Sequence, residues 1–343
     1  MLARDHVMLY YIIGDQMSRL LTTVSAITVI AGTYVNADVP KVIADIAPIH
    51  SLVSRVMDGV GEPKLIVPNE TSPHDYRLRP ADAQAIEDAN LVFWMGEGLT
   101  PWMERALEAL NSDTDIVEFL ALEESTRLSF REGALFEAHG VHDDHDDHDD
   151  HDDHDDHDDH DKEHDDHAGH DHGEFDPHAW LSTSNAKTWV NVIAAKLSSI
   201  DPNNAGTYFA NASEARNEMD ALDDEINAML APVRGGKFIV FHDAYQYFES
   251  VYDFPASGAI SLGDASDPSA ARIAEIADRI KRENIDCVLS EPQFNAGLVK
   301  TVMGGTDANT QVIDPLGFGI EPGSSLYPKL IRAMAQSLVD CLK

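Results

Sequence analysis

The stretch VPKVIADIAPIHSLVSRVMDGVGEPKLIV, residues 39–67, decides the fold class. A short apolar run from Lys41 to Ile46 passes into helical periodicity from His50 to Gly59 and returns to an apolar run from Lys64 to Val67, which reads as strand, helix, strand. The alternation continues downstream. A helix is expected over Arg79 to Ala89, beginning at Pro80, then a strand over Leu91 to Met95. Thr100 to Leu110 reads as a helix capped by Thr100 with Pro101 in its first position, and Ile116 to Leu120 as a strand. Strands separated by helices imply a parallel sheet with helices on both faces.

Past residue 180 the pattern becomes helical. Ser182 to Ile200 reads as one helix, and a second runs from about Asn203 to Leu230, ending near Pro232 and Gly235-Gly236. At 1.5 Å per residue the second helix spans roughly 40 Å, enough to run the length of two lobes. The strand and helix alternation then restarts: strand Lys237 to Phe241, a helix through Glu249, helix Pro268 to Glu283, strand Cys287 to Ser290, strand Gln311 to Ile313 and a last helix Tyr327 to Leu342. The expected fold is therefore α/β, with two lobes, each a mostly parallel sheet flanked by helices, joined by one long connecting helix. The boundaries read as 38–200 for the first lobe, 201–234 for the connecting helix and 235–343 for the second lobe.

Within the expected first lobe stands a segment of another kind. From His142 to His172 the chain repeats His-Asp-Asp, mostly in register, placing histidines at His142, His145, His148, His151, His154, His157, His160, His164, His167, His170 and His172. Almost no apolar side chain is present and carboxylates repel along its length, so nothing offsets the entropy lost on ordering, and residues 139–173 are expected to form a disordered loop. Imidazole and carboxylate are ligands for borderline divalent metals, so the run reads as a set of weak metal sites, with a solvated acidic spacer as the alternative.

The chain of 343 residues carries a formal net charge of −37; the run, with 16 Asp and one Glu against one Lys, contributes −16 and leaves −21 elsewhere. Both parts are acidic, which argues against nucleic acid and anionic lipid as partners and favours attraction of cations. At the start, Leu20 to Ala31 is apolar, preceded by Arg19 and followed by Val35-Asn36-Ala37, a small-residue ending suited to cleavage before Asp38. Residues 1–37 thus read as a secretory leader, with Met17 an alternative start because Met1 to Gln16 carries mixed charge. No cysteine stands near Ala37 to take a lipid, so a soluble exported protein is expected. The only cysteines, Cys287 and Cys341, form an even pair, most simply a disulfide in an oxidising compartment; two buried free thiols are the alternative.

Three further histidines stand at strand ends or strand-to-helix junctions: His74 in the loop Asn69 to Tyr76, His178 in Asp176-Pro177-His178, and His242 after Lys237 to Phe241. Open α/β sheets place ligands at the C-terminal ends of their strands, so these can converge in a cleft between lobes. With Asp314, also at a strand end, they form a four-coordinate set of three imidazoles and one carboxylate, suited to zinc; manganese prefers more oxygen. Asp75, Asp176 and Asp243 stand beside the histidines, either to hold an imidazole N–H or to cap a helix. Trp180, Tyr245 and Phe294 read as wall and core residues.

Taken together, Ser72-Pro73-His74-Asp75-Tyr76 with Leu78-Arg79-Pro80, Asp176-Pro177-His178-Ala179-Trp180-Leu181-Ser182, Phe241-His242-Asp243-Ala244-Tyr245, Glu291-Pro292-Gln293-Phe294 and Asp314-Pro315-Leu316-Gly317 resemble the zinc-specific periplasmic solute-binding proteins of metal-uptake ABC transporters. The resemblance spans Val39 to the C-terminus. It implies two α/β lobes joined by a long helix, zinc held between them by His74, His178, His242 and Asp314, a His-rich loop before the second ligand, and delivery to a membrane permease. Zinc members also pair cysteines resembling Cys287 and Cys341. Some carry a glutamate just before the first ligand, where this chain has Pro73, leaving Asp314 or water as the fourth ligand. Manganese-binding relatives tend to carry a glutamate where His242 stands. The expectation is a monomer that performs no chemistry and is loaded directly or by a metallochaperone.

Three alternatives compete. A zinc hydrolase would need an open coordination position and a general base, and the sequence has no His-Glu-x-x-His helix. A metal buffer or adhesin-like surface protein would act mainly through the run. A manganese-binding relative would share the fold and differ in its preferred metal.

Overall fold

Among the described residues, eight short strands form two sheets with the same strand order. The computed structural model describes residues 39–109, 114–131, 136, 175–261, 263, 268–294 and 296–343, and all of these belong to the unit Asp38–Lys343. The expected leader and the run His142 to His172 lie outside the described residues. In the first sheet β1 (Val42–Ala44), β2 (Lys64–Leu65), β3 (Leu91–Trp94) and β4 (Asp115–Glu118) are ordered β2-β1-β3-β4, every pair parallel. In the second, β5 (Phe238–His242), β6 (Ala259–Ser261), β7 (Cys287–Ser290) and β8 (Asn309–Val312) are ordered β6-β5-β7-β8, again all parallel. In each sheet the chain winds outward from one central strand and then returns to its other side. The switch points therefore fall between β1 and β3 and between β5 and β7, where such sheets bind ligands.

Alternation along the strands divides the core. Val42, Ala44, Leu91 and Phe93 point to one face of the first sheet, Ile43, Val92 and Trp94 to the other; Phe238 and Val240 oppose Ile239 and Phe241 in the second. The inner faces of both sheets share one continuous apolar cluster with α1 (Ala47–Val56), α4 (Thr183–Ile200), α5 (Ala205–Leu230) and α9 (Leu326–Leu342). The outer faces have separate clusters: α2 (Pro80–Glu87) and α3 (Pro101–Glu108) cover the first sheet, α7 (Ala270–Glu283) and α8 (Ala296–Val302) the second. The long helix α5 buries Tyr208, Ala212, Ala215, Met219, Leu222, Ile226 and Leu230, a stripe at three- and four-residue spacing laid against α4, α9 and α1. This is the expected two-lobed α/β fold with its joining helix.

Local expectations fared unevenly. Helix α1 starts at Ala47, before the expected His50, because Pro48 seeds its first turn. Thr100 does not cap α3 with its side chain; its hydroxyl faces the Gly96 carbonyl at 3.5 Å. Helix α7 is capped by Ser269, whose hydroxyl accepts from Arg272 N–H, and so begins later than the expected Pro268. Strand β8 covers Asn309–Val312 where Gln311 to Ile313 was expected. Two elements were not foreseen, β6 and α8; at three and seven residues they are too short for periodicity to mark them. Cys287 and Cys341 are joined in a disulfide that ties the start of β7 to the last turn of α9 across 54 residues.

Candidate metal centre

The three expected histidines meet. The rings of His74 and His178 lie 5.8 Å apart between centroids, and those of His178 and His242 lie 5.2 Å apart. Imidazoles bound to one tetrahedral zinc through bonds of about 2.0–2.1 Å would place their centroids about 5 Å apart, so the spacing fits. Among the described residues no three His, Cys, Asp or Glu side chains already close around one point. Gripping one ion therefore requires these neighbouring rings to move from their present positions. They line a cavity whose walls include Pro73, Trp180, Glu291, Gln293, Phe294 and Pro315.

Two of the histidines are presented by braced loops and the third by a strand end. His74 follows Pro73, whose carbonyl accepts from Trp102 Nε1 of α3 at 2.8 Å, and precedes Tyr76, whose hydroxyl donates to Asp82 of α2 at 2.6 Å. The same loop crosses to the other lobe through Asn69, whose amide donates to the carbonyls of Gly317 at 2.6 Å and Ile320 at 2.7 Å. Gly317 has φ +87°, and a Cβ there would press on Leu326, so glycine lets this carbonyl turn toward Asn69. His178 sits just ahead of a single 3-10 turn, Ala179–Leu181, that leads into α4, capped by Ser182. His242 ends β5.

Two carboxylates hold two of the rings. Asp176 Oδ1 lies 2.6 Å from His178 Nδ1 and also accepts the His178 backbone N–H at 2.9 Å; Glu291 Oε1 lies 2.7 Å from His242 Nδ1. Such a partner fixes the tautomer and makes Nε2 the nitrogen through which each ring could ligate. Asp176 thus serves as an imidazole partner and not as a helix cap. Asp243 does neither: its carboxylate is taken by Arg131, as is that of Glu249. Burial pushes the Asp243 and Glu249 carboxyls up despite that guanidinium. Asp75 is exposed.

Asp314 adjoins the wall residue Pro315, and its Oδ1 accepts from Leu316 N–H at 3.0 Å and Gln293 Nε2 at 3.3 Å. Burial raises its carboxyl above the usual range. Trp180 donates Nε1 to the Pro315 carbonyl at 2.8 Å, and Phe294 stacks on Phe241 and meets the His242 ring edge-on, so both are wall residues as expected. Tyr245 is buried beside them, its hydroxyl held well above its ordinary pKa by burial and by the charges of Glu291 and Asp314.

The family described as zinc-uptake complex component A, periplasmic, or ZnuA, matches the chain over residues 42–341. The chain belongs to the ZnuA family. The ZnuA protein of the high-affinity zinc uptake system of Brucella abortus is 47% identical over 304 residues, covering 88% of this chain and 91% of that protein. That of Paracoccus denitrificans is 45% identical over 307 residues, covering 89% and 93%. A crystal structure of ZnuA superposes with a TM-score of 0.68 at 22% identity, over 89% of this chain and 100% of the other, a likeness of fold. Among the described residues no helix is long and apolar enough to cross a membrane.

Glu291 stands in the motif Glu291-Pro292-Gln293-Phe294, and the sequence alone assigns it no role. Its signal was topological. It directly follows β7, the strand beside β5 across the switch point, so its carboxylate reaches the histidine that ends β5.

Proposed function

We propose that this chain captures a zinc ion in the periplasm and hands it to the permease of an ABC-type importer, with His74, His178, His242 and Asp314 as the ligands. The observation that carries the reading is the meeting of three imidazoles from two separate loops and a strand end, two of them held at Nδ1 by buried carboxylates. Three nitrogen donors favour zinc over manganese. Asp314 joins the set when its carboxylate turns from Leu316 N–H and Gln293 toward the ion. The cargo is bound and released with no bond made or broken in a substrate, so no general base is required. The exported form starts near Asp38, acts as a monomer, and takes zinc directly or from a metallochaperone. The run from His142 to His172 collects zinc at weak, exchangeable sites close to the cleft.

The test is a chelator-competition titration of the protein with and without residues 142–172, run in parallel with zinc and manganese. One tight zinc, retained without the run, lost in His178→Ala and weakened in Asp314→Asn, is the expected result. A run-deleted protein that holds no zinc tightly would move the function to the run and sink this reading.

A further inference from the structure

The chain on either side of the acidic run forms a short strap. Ser129 and Phe175 make an antiparallel bridge, Asp176 N–H donates to the Leu128 carbonyl at 2.8 Å, and the Arg127 guanidinium lies over the Phe175 ring. The strap runs directly into His178. It is also fastened to the second lobe beside His242. Arg131 Nε donates to both oxygens of Asp243 at 3.0 and 2.9 Å, Nη2 donates to Asp243 Oδ1, and Nη1 and Nη2 reach the two oxygens of Glu249 at 2.9 and 3.0 Å. Both carboxylates are buried, and Asp243 is the residue after His242. Alongside, the Gln246 amide donates to the Ser129 carbonyl at 3.1 Å and to Asp176 Oδ2 at 2.6 Å, while Tyr247 accepts from Leu128 N–H and donates to the Asp176 carbonyl. Asp176 is the carboxylate that holds the His178 ring.

We infer that Arg131 is a positioning residue: it braces the strap that carries His178 against the strand end that carries His242, and so sets the spacing of these two rings for zinc. The inference rests on the proposal that both are ligands. A guanidinium gripping two carboxylates at once fixes distance and orientation together, which a lysine ammonium cannot do. The brace meets the site within two residues of each ring, through Asp243 on one side and through the strap and Asp176 on the other. Its effect on the ion is therefore transmitted by placement; Arg131 itself does not touch the metal.

The experiment compares the full chain with Arg131→Lys and Gln246→Ala, measuring zinc affinity against a strong chelator, the zinc dissociation rate, the visible absorption of bound cobalt as a report of coordination geometry, and the metal-free melting temperature. Loss of the group that directly holds a ligating histidine weakens metal binding about 10–100-fold; Arg131 acts one step further out, so Arg131→Lys is expected at the lower end, about tenfold, chiefly through faster dissociation and with a displaced cobalt band. Gln246→Ala, which takes one donor from Asp176 Oδ2 but leaves Asp176 Oδ1 its contacts with His178, shifts both readouts in the same direction by a smaller factor. Variants that melt lower but keep the wild-type zinc affinity and cobalt spectrum would reduce Arg131 to a structural role and overturn the inference alone. Absence of tight zinc binding by the wild type would instead overturn the ligand assignment on which it stands.

Discussion

His178 and His242 differ from surface histidines by what stands behind them. Each gives Nδ1 to a carboxylate that is itself buried, Asp176 in one case and Glu291 in the other. A negative acceptor behind an imidazole raises the basicity of the opposite nitrogen and holds the ring still. Glu291→Gln keeps the shape of the side chain and removes the charge. Zinc affinity is expected to fall about tenfold or more, with an unchanged far-ultraviolet circular dichroism spectrum. Wild-type affinity in that variant would show that the pair serves folding only.

The two sheets use their switch points differently. Between β5 and β7 the bridging pair is His242 and Glu291, which faces the cavity. Between β1 and β3 the bridging residue is Asp45, fully buried, whose carboxylate accepts the N–H of Ile46 at 2.8 Å and of Met95 at 2.8 Å. Burial outweighs these bonds and raises the Asp45 pKa from 3.8 to about 7. The folded protein then binds the Asp45 proton more tightly than the unfolded chain, so the contribution of this residue to stability grows as pH falls from about 7 toward 4 and is least above 7. An upper bound for the swing is about 4 kcal/mol, at 1.36 kcal/mol per pKa unit. Asp45→Asn removes the titration. In metal-free protein unfolded by urea, the stability of wild type relative to this variant should therefore rise on acidification from pH 8 to 5; a difference that stays level over that range would rule the assignment out.

At the scale of the molecule, one apolar cluster runs through both sheets by way of α1, α4, α5 and α9. Such a shared core fixes the loops that carry the histidines more firmly than a flexible linker between lobes would. If the run from His142 to His172 collects zinc as proposed, it acts through raised local concentration and needs no geometry of its own. Deleting residues 142–172 should therefore slow loading from chelated zinc at least severalfold and leave the equilibrium affinity of the cleft site nearly unchanged. Stopped-flow loading and chelator titration on the same two proteins separate these effects; equal loading rates would leave the run without this role.

Much of this was legible in the linear chain. Alternating strand and helix signals follow from local periodicity, so the α/β class, the long helix and even the Cys287–Cys341 pairing were accessible before any contact was known. The histidines at strand ends could be picked out for the same reason, since a parallel sheet gathers its C-terminal strand ends on one edge. Strands and helices of three to seven residues, β6 and α8, left no period to read. The partners of the histidines lay further out of reach: Asp176 and Asp243 look alike in sequence, each beside a histidine, yet one holds an imidazole and the other an arginine more than a hundred residues away. Glu291 reaches His242 only because β7 lies against β5. Which carboxylate faces which base depends on strand order and on loop paths through space, and these are settled by packing of the whole core, which local sequence does not encode.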